Sequence, residues 1–481
     1  MTSTSVPHVP PGLQRASSGS GLSPLHLGGR TLLPIVQGGM GVGVSAHRLA
    51  GAVAACGAVG TISSVDLRRH HPDLMARTRA AGHGAAAKPV IDAANLEALE
   101  REIAAARELA QGHGLLAVNV MRAVGEYAHL VTKALECGID AVVVGAGLPL
   151  DLPDLAREHP KVALVPILSD ARGVALVVKK WERRRRAPDA LVIEHPRWAG
   201  GHLGAARIAD LADPRYDFEQ VLPQTLEVLR SAGLEGQVPV IAAGGVRSFE
   251  DIARLQSLGA AAVQLGTPFV ATDECDAHPV FKQVLAEARD EDLVEFVSVA
   301  GLPARAVRTP WLQNYLAALP RLQAAARQKP RCTLSFDCLA QCGLRDGTPG
   351  WGQFCIDTQL SAALRGDLKR GLFFRGVGAL PFGERIVGVR DLLERLLTPA
   401  GALVAAAGAA DEAADEAADE IAAEVADGAA GGPADRAAGG AADGSADGAE
   451  GGAEGGAAGG AANRAADRGP ALTGTVLAEH A

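Results

Sequence analysis

Eight short apolar runs, each followed by a stretch with helical periodicity, recur between residues 32 and 265. They lie at 32–37, 58–62, 115–120, 141–144, 162–168, 190–193, 238–242 and 261–265. Runs that are apolar at most positions without alternation suit strands buried on both faces, and strand–helix alternation predicts parallel pairing with right-handed crossovers. Eight such units in about 250 residues match the size of a (β/α)8 TIM barrel. A doubly wound open sheet has the same alternation. The barrel is favoured because glycine and polar residues recur after runs one, three, six, seven and eight. A barrel gathers those ends at one mouth, whereas an open sheet scatters them.

The remaining chain divides by composition. Residues 1–28 are rich in Ser, Pro and Gly without an apolar core, and are expected to be a flexible leader instead of a secretory signal. Residues 29–309 hold the barrel, and 310–399 read as a cysteine-bearing helical appendage with apolar helical segments at 312–322, 360–368 and 389–397. Residues 400–481 are a low-complexity Ala/Gly/Asp/Glu tail expected to be disordered, with a transient helix near 411–424. Of the formal charge of -9, the 15 acidic and 3 basic residues of 401–481 supply -12. The body is therefore nearly neutral, and nothing in its charge points to nucleic acid or a membrane surface. No apolar run approaches the ~20 residues of a membrane span. Seven cysteines, an odd number in a long chain, do not suggest a disulfide framework. A cytoplasmic protein is expected, acting on a small molecule.

Chemistry concentrates where the runs end. After run six, Gly200 and Gly201 precede His202 and Gly204. The glycines allow close backbone approach to a bound group, and an imidazole beside them exchanges a proton near neutral pH. The plain alternative is a histidine that caps a loop. Ala243-Gly244-Gly245 and Leu265-Gly266-Thr267 follow runs seven and eight, where barrels of this kind bind phosphate through backbone N–H groups. With Gly39, Met40 and Gly41 after run one and Asn119 in run three, they outline a mononucleotide with a ring at the mouth, and FMN fits that outline best. Gly41-x-Gly43-x-x-Ala46 is a weak dinucleotide fingerprint, since Ser63 and Ser64 stand where an acid belongs. Ser45 reads as the N-cap of the first helix. Cys332, Cys338, Cys342 and Cys355 are spaced for neither a zinc ribbon nor a common iron–sulfur site, so no metal is expected. The segment 371–376 is a candidate cover for the mouth or simple packing.

Five segments in consistent order, P-I-V-Q-G-G-M-G at Pro34, V-N-V-M at Val118, A-G-G-H-L-G at Ala199, V-P-V-I-A-A-G-G-V at Val238 and Q-L-G-T-P-F-V-A-T at Gln264, resemble the nitronate monooxygenase family. The resemblance implies an FMN-dependent barrel oxidising nitronates or nitroalkanes with O2 to a carbonyl compound and nitrite. It makes Gly39, Met40, Gly41, Asn119, Gly201, Gly244, Gly245, Gly266 and Thr267 FMN contacts and His202 the catalytic base. Relatives of that family include NAD(P)H-dependent FMN reductases of enoyl thioesters and quinones, which is the alternative activity. His195 departs from the pattern, because relatives place glycine there; a second imidazole would either crowd the site or assist it.

Overall fold

Every expected strand forms, and the eight close on themselves. The computed structural model describes residues 19–327 and 338–403, with Leu13 and Cys332. Its first two strands, β1 (Leu25–Leu27) and β2 (Arg30–Leu32), make an antiparallel hairpin. The barrel follows: β3 (Ile35–Gln37), β4 (Val59–Ser63), β5 (Leu115–Met121), β6 (Ala141–Gly145), β7 (Ala163–Leu168), β8 (Leu191–Glu194), β10 (Val240–Ala243) and β11 (Ala262–Leu265). All neighbours in this closed ring are parallel, including the β11–β3 closure that sets Val263 beside Ile35. β9 (Gly201–His202) stands outside the ring. It pairs antiparallel with β13 (Pro303–Val307), which in turn pairs with β12 (Leu293–Val297).

Alternation along each strand divides the apolar residues into two shells. Val36, Ala117, Val143, Val165, Val192 and Ile241 pack together as the barrel's filling. Leu25 and Leu27 of the hairpin belong to the same cluster, so the hairpin plugs the barrel's amino-terminal end. Leu25 is fully buried. That corrects the leader boundary, because a chain that contributes core side chains from residue 25 is not flexible there. The outward set, with Ile35, Ile62, Val118, Val142 and Ile193, packs on the surrounding helices. Among these are α1 (His47–Ala55) and α2 (Lys88–Ala110).

Ser45 does not cap α1. The helix begins after Ala46, and the Ser45 hydroxyl turns back to accept the Met40 N–H at 2.9 Å, bracing the glycine turn. The carboxylate of Asp276 takes over the first-turn donors, accepting from Ala46, Arg48 and Leu49 at 2.8–3.2 Å. A long-range acid thus satisfies the orphan N–H groups that a local residue normally serves.

Of the expected appendage helices, α3 (Pro310–Ala324), α4 (Ile356–Leu364) and α5 (Val389–Leu397) form. α4 starts four residues earlier than its apolar run because its first turn is polar. Contacts divide the chain into the units Met1–Glu412 and Ala413–Ala481, so residues 310–399 share one compact body with the barrel. The expected tail beyond residue 403 and its transient helix lie outside the described residues. No described helix is long and apolar enough to cross a membrane.

Candidate active site

The ends of the barrel strands open into a single cavity of about 670 Å³. Its wall includes Gly39, Met40, Gly41, Asn119, Gly201, His202, Gly244, Gly245, Gly266 and Thr267, so all ten residues singled out in the sequence come together. The strand ends interlock. A methyl group at Gly39 would collide with the Asn119 side chain, which joins β3 to β5, and one at Gly266 would touch the Met40 sulfur. Gly244 and Gly245 have φ of 105° and 76°, and a Cβ on Gly245 would press on Trp198 at 3.1 Å. Side chains are excluded there, so bare backbone faces the cavity.

His202 is not at the end of a barrel strand. β8 ends at Glu194, and the chain makes a turn through His195, Pro196, Arg197 and Trp198 before reaching β9. The pairing of His202 with Ala304 of β13 holds the histidine over the mouth. Its Nε2 lies 2.9 Å from the hydroxyl of Ser298, in the turn between β12 and β13. Ser298 is fully buried and its oxygen also accepts the Ala300 N–H, which fixes the hydroxyl in place. With Nε2 engaged, Nδ1 is the nitrogen left to meet a ligand. Burial pushes the imidazole down to about 4, so it is neutral at pH 7. Phe374 flanks the ring at 5.8 Å between centroids.

His195 neither crowds nor assists this site. It is 2% exposed, absent from the cavity wall, and packed against Trp198 and Phe218. Its Nε2 lies 3.4 Å from Asp217, and its Nδ1 accepts the Arg197 N–H. It is a structural imidazole that shapes the Trp198 turn.

These features can be weighed against known proteins. Residues 29–398 match the nitronate monooxygenase family. The chain belongs to that family. A probable nitronate monooxygenase of Staphylococcus saprophyticus is 26% identical over 192 residues, 39% of this chain and 50% of that protein. One of Bacillus subtilis is 32% identical over 129 residues, 27% of this chain and 35% of its own length. The matched stretch therefore spans half or less of these curated relatives. The fold is similar to FabK of Thermotoga maritima, with a TM-score of 0.52, 24% identity and coverage of 76% of this chain and 91% of that one. It is also similar to nitroalkane oxidase of Streptomyces ansochromogenes, with a TM-score of 0.50, 21% identity and coverage of 79% and 97%. At such identities the likeness concerns the fold alone.

Within this member of the nitronate monooxygenase family, four residues matter that sequence reasoning left without a role. Ser298 carried no signal, because its partner lies 96 residues away. Arg247 lines the cavity beside the Gly245 turn and donates to the Gly245 carbonyl at 3.2 Å. Arg375, 2% exposed, donates to the carbonyls of Leu285, Gly376 and Gly378 at 2.7–3.1 Å. This stretch does cover the mouth: Phe374, Arg375 and Gly376 line the cavity, and the Gly376 N–H reaches Thr267 Oγ1 at 3.1 Å.

Glu194 is the fourth. Its carboxyl ends β8 at the cavity wall, and burial pushes it up to about 7. A folded pKa above the ordinary value of 4.5 means that the native state keeps a proton the unfolded chain releases. Its stabilising contribution is thus complete below pH 4.5 and lost as pH rises through about 7. Glu194→Gln removes that loss. Urea unfolding at pH 5 and pH 8 should show the variant gaining roughly 2–3 kcal/mol on the parent over this interval. A constant difference between the two pH values would show that Glu194 ionises normally.

Cys338 lines the cavity, and burial pushes its thiol well above the ordinary range. Among the described residues no group of three or more His, Cys, Asp or Glu side chains is arranged to hold a metal ion.

Proposed function

We propose that this protein binds FMN and oxidises alkyl nitronates and nitroalkanes with O2, giving a carbonyl compound and nitrite. The observation that carries this reading is His202, neutral and anchored by Ser298, in the same cavity as the glycine turns of β3, β10 and β11. Those turns fit the cofactor, because the left-handed Gly244 and Gly245 offer backbone where any side chain would obstruct. In this reading Gly244, Gly245, Gly266 and Thr267 hold the phosphate, with the Arg247 guanidinium adding positive charge beside them. Gly39, Met40, Gly41, Asn119 and Gly201 surround the ring. FMN, when bound, supplies the electron transfer and the reaction with O2.

The chain's own part is proton handling and enclosure. A neutral Nδ1 accepts the α-proton of a nitroalkane. A depressed pKa makes His202 a weak base, but the imidazolium forms next to the nitronate anion it creates, and the pair attract strongly where water is excluded. A substrate that arrives already as nitronate needs no base, and His202 then has no proton to take. The reading includes a cytoplasmic location, supported by the cysteine content.

Purification and a visible spectrum test the cofactor. The protein should be yellow, release FMN on denaturation, and form nitrite from a nitroalkane in air. Protein that is colourless and remains so after incubation with FMN would end the flavin reading. Steady oxidation of NADH without a nitro compound, coupled to reduction of an enoyl thioester or quinone, would replace the monooxygenase with the reductase alternative.

A further inference from the structure

The cavity continues past the glycine turns, under the loops that follow β4 and β5. β5 stands across the closed ring from β10, whose end carries Gly244 and Gly245, so this wall lies away from the phosphate seat assigned above. The wall is polar. Ser64 and Arg68 reach it from the stretch after β4, Asp92 and Asn95 from α2, and Glu126 from the β5 loop.

Four buried polar atoms of these wall residues have no hydrogen-bond partner in the protein: the Ser64 hydroxyl, Arg68 Nε, Asp92 Oδ1 and Asn95 Oδ1. Ser64 is fully buried and Arg68 is 5% exposed. The neighbouring charges do not meet the need. Lys88 reaches Asp92 Oδ2 at 2.5 Å and Glu126 at 2.7 Å, so it is divided between two carboxylates while Asp92 Oδ1 goes unserved. Arg68 commits its terminal nitrogens to Asp66 at 3.0 Å and to the Met75 sulfur at 3.6 Å. A buried donor or acceptor left unmade costs free energy, which a ligand group supplying the missing partner recovers.

Asp92 and Asn95 are three residues apart on α2 and so share one of its faces. Both unpartnered oxygens accept, whereas Arg68 Nε donates and the Ser64 hydroxyl does either. Around them Asp66, Asp92, Glu126 and Asp357 stand against Arg68, Arg69 and Lys88, one carboxylate in excess. An anionic group is therefore disfavoured. A cation would serve the two acceptors but oppose the Arg68 guanidinium. A neutral group with both a donor and an acceptor matches both kinds of unpartnered atom.

We propose that this end of the cavity is a second recognition site, which takes an uncharged carboxamide or hydroxyl group at the far end of a substrate whose reacting carbon lies at His202. The position of the reacting carbon rests on the reading of the site given above. The substrate class is then a nitro compound with a neutral hydrogen-bonding head group, and carboxylate-tailed compounds are rejected.

The full-length protein as purified is titrated by calorimetry at neutral pH with inert probes of similar size: butyramide, 2-pentanone, butyrate and butylammonium. Butyramide should bind about tenfold more tightly than 2-pentanone, which accepts but does not donate, the worth of one or two hydrogen bonds. Butyrate and butylammonium should also bind more weakly than butyramide. Asn95→Leu deletes one unpartnered acceptor at nearly constant volume. It should bring butyramide to the level of 2-pentanone without loss of stability to urea. Ser64→Ala should reduce the preference in part, and serves if the leucine variant does not fold. In turnover, kcat/KM for 3-nitropropanamide should exceed that for 3-nitropropanoate and 1-nitrobutane by about tenfold. Equal binding of all the probes, or tightest binding of butylammonium, overturns the second site whatever the enzyme turns over. A butyramide preference that both variants leave intact overturns it too. A preference that Asn95→Leu removes, in a protein that turns over no nitroalkane, keeps the site and overturns the monooxygenase reading.

Discussion

Replacing His202 with Asn should lower turnover of a neutral nitroalkane by roughly 10²–10⁴-fold, the usual worth of a positioned general base. Activity on the pre-formed nitronate should fall far less, because its proton is already gone. FMN occupancy should hold, since the glycine turns are contributed by other strands. In the parent enzyme the acid limb of kcat/KM for the neutral substrate should lie near pH 4 and not near 6.5, because the depressed pKa keeps the imidazole unprotonated over that interval. Equal losses on both substrates with FMN retained would defeat the base assignment. So would an unchanged rate. Ser298→Ala gives a companion result: if the hydroxyl orients the ring, the acid limb shifts and the neutral-substrate rate falls, again with the nitronate rate spared.

Arg375→Met should be the most damaging single change to stability at the mouth. The guanidinium serves three carbonyls in a setting where Arg375 is 2% exposed, and methionine retains the volume but none of the donors. Each buried acceptor left without a partner costs about 1–3 kcal/mol, so a total of roughly 3–5 kcal/mol is expected after partial relaxation. The Gly376 contact to Thr267 should loosen with it, and flavin should leave the protein more readily on gel filtration. Denaturant midpoints and the flavin-to-protein ratio measure the two effects. A loss below about 1 kcal/mol would show that the segment is held by its apolar contacts instead.

The barrel was legible because its strands are apolar at most positions and several of their ends carry glycine. Residues such as Val118, Val142 and Ile193 mark buried strands without reference to anything distant. The cavity wall was legible for the same reason, since Gly244, Gly245 and Gly266 are local signals of backbone that must stay bare. What escaped detection is held by partners far along the chain. β9 is two residues long, and β13, P-A-R-A-V, has no strong strand pattern, so the sheet that carries His202 left no trace in periodicity. The Ser298 and Arg375 contacts cross 96 and 90 residues. His195 misled for a related reason: its neighbours in sequence place it near the site, while Asp217 and Phe218 draw its ring away.

The pairing of β9 with β13 bears on how the enzyme comes into being. As the chain is synthesised, the eight barrel strands are complete by Leu265. The serine that steadies the histidine, the strand that holds it and the segment that covers the mouth all emerge later, from residue 298 to residue 378. A nascent chain therefore holds the glycine turns of the barrel before the groups that steady His202. A flavin caught at that stage would be open to oxygen and solvent with no substrate chemistry to perform. The stretch from residue 298 to residue 378 belongs to the same compact body as the barrel, so a chain that ends before it lacks both the serine that steadies His202 and the cover of the mouth.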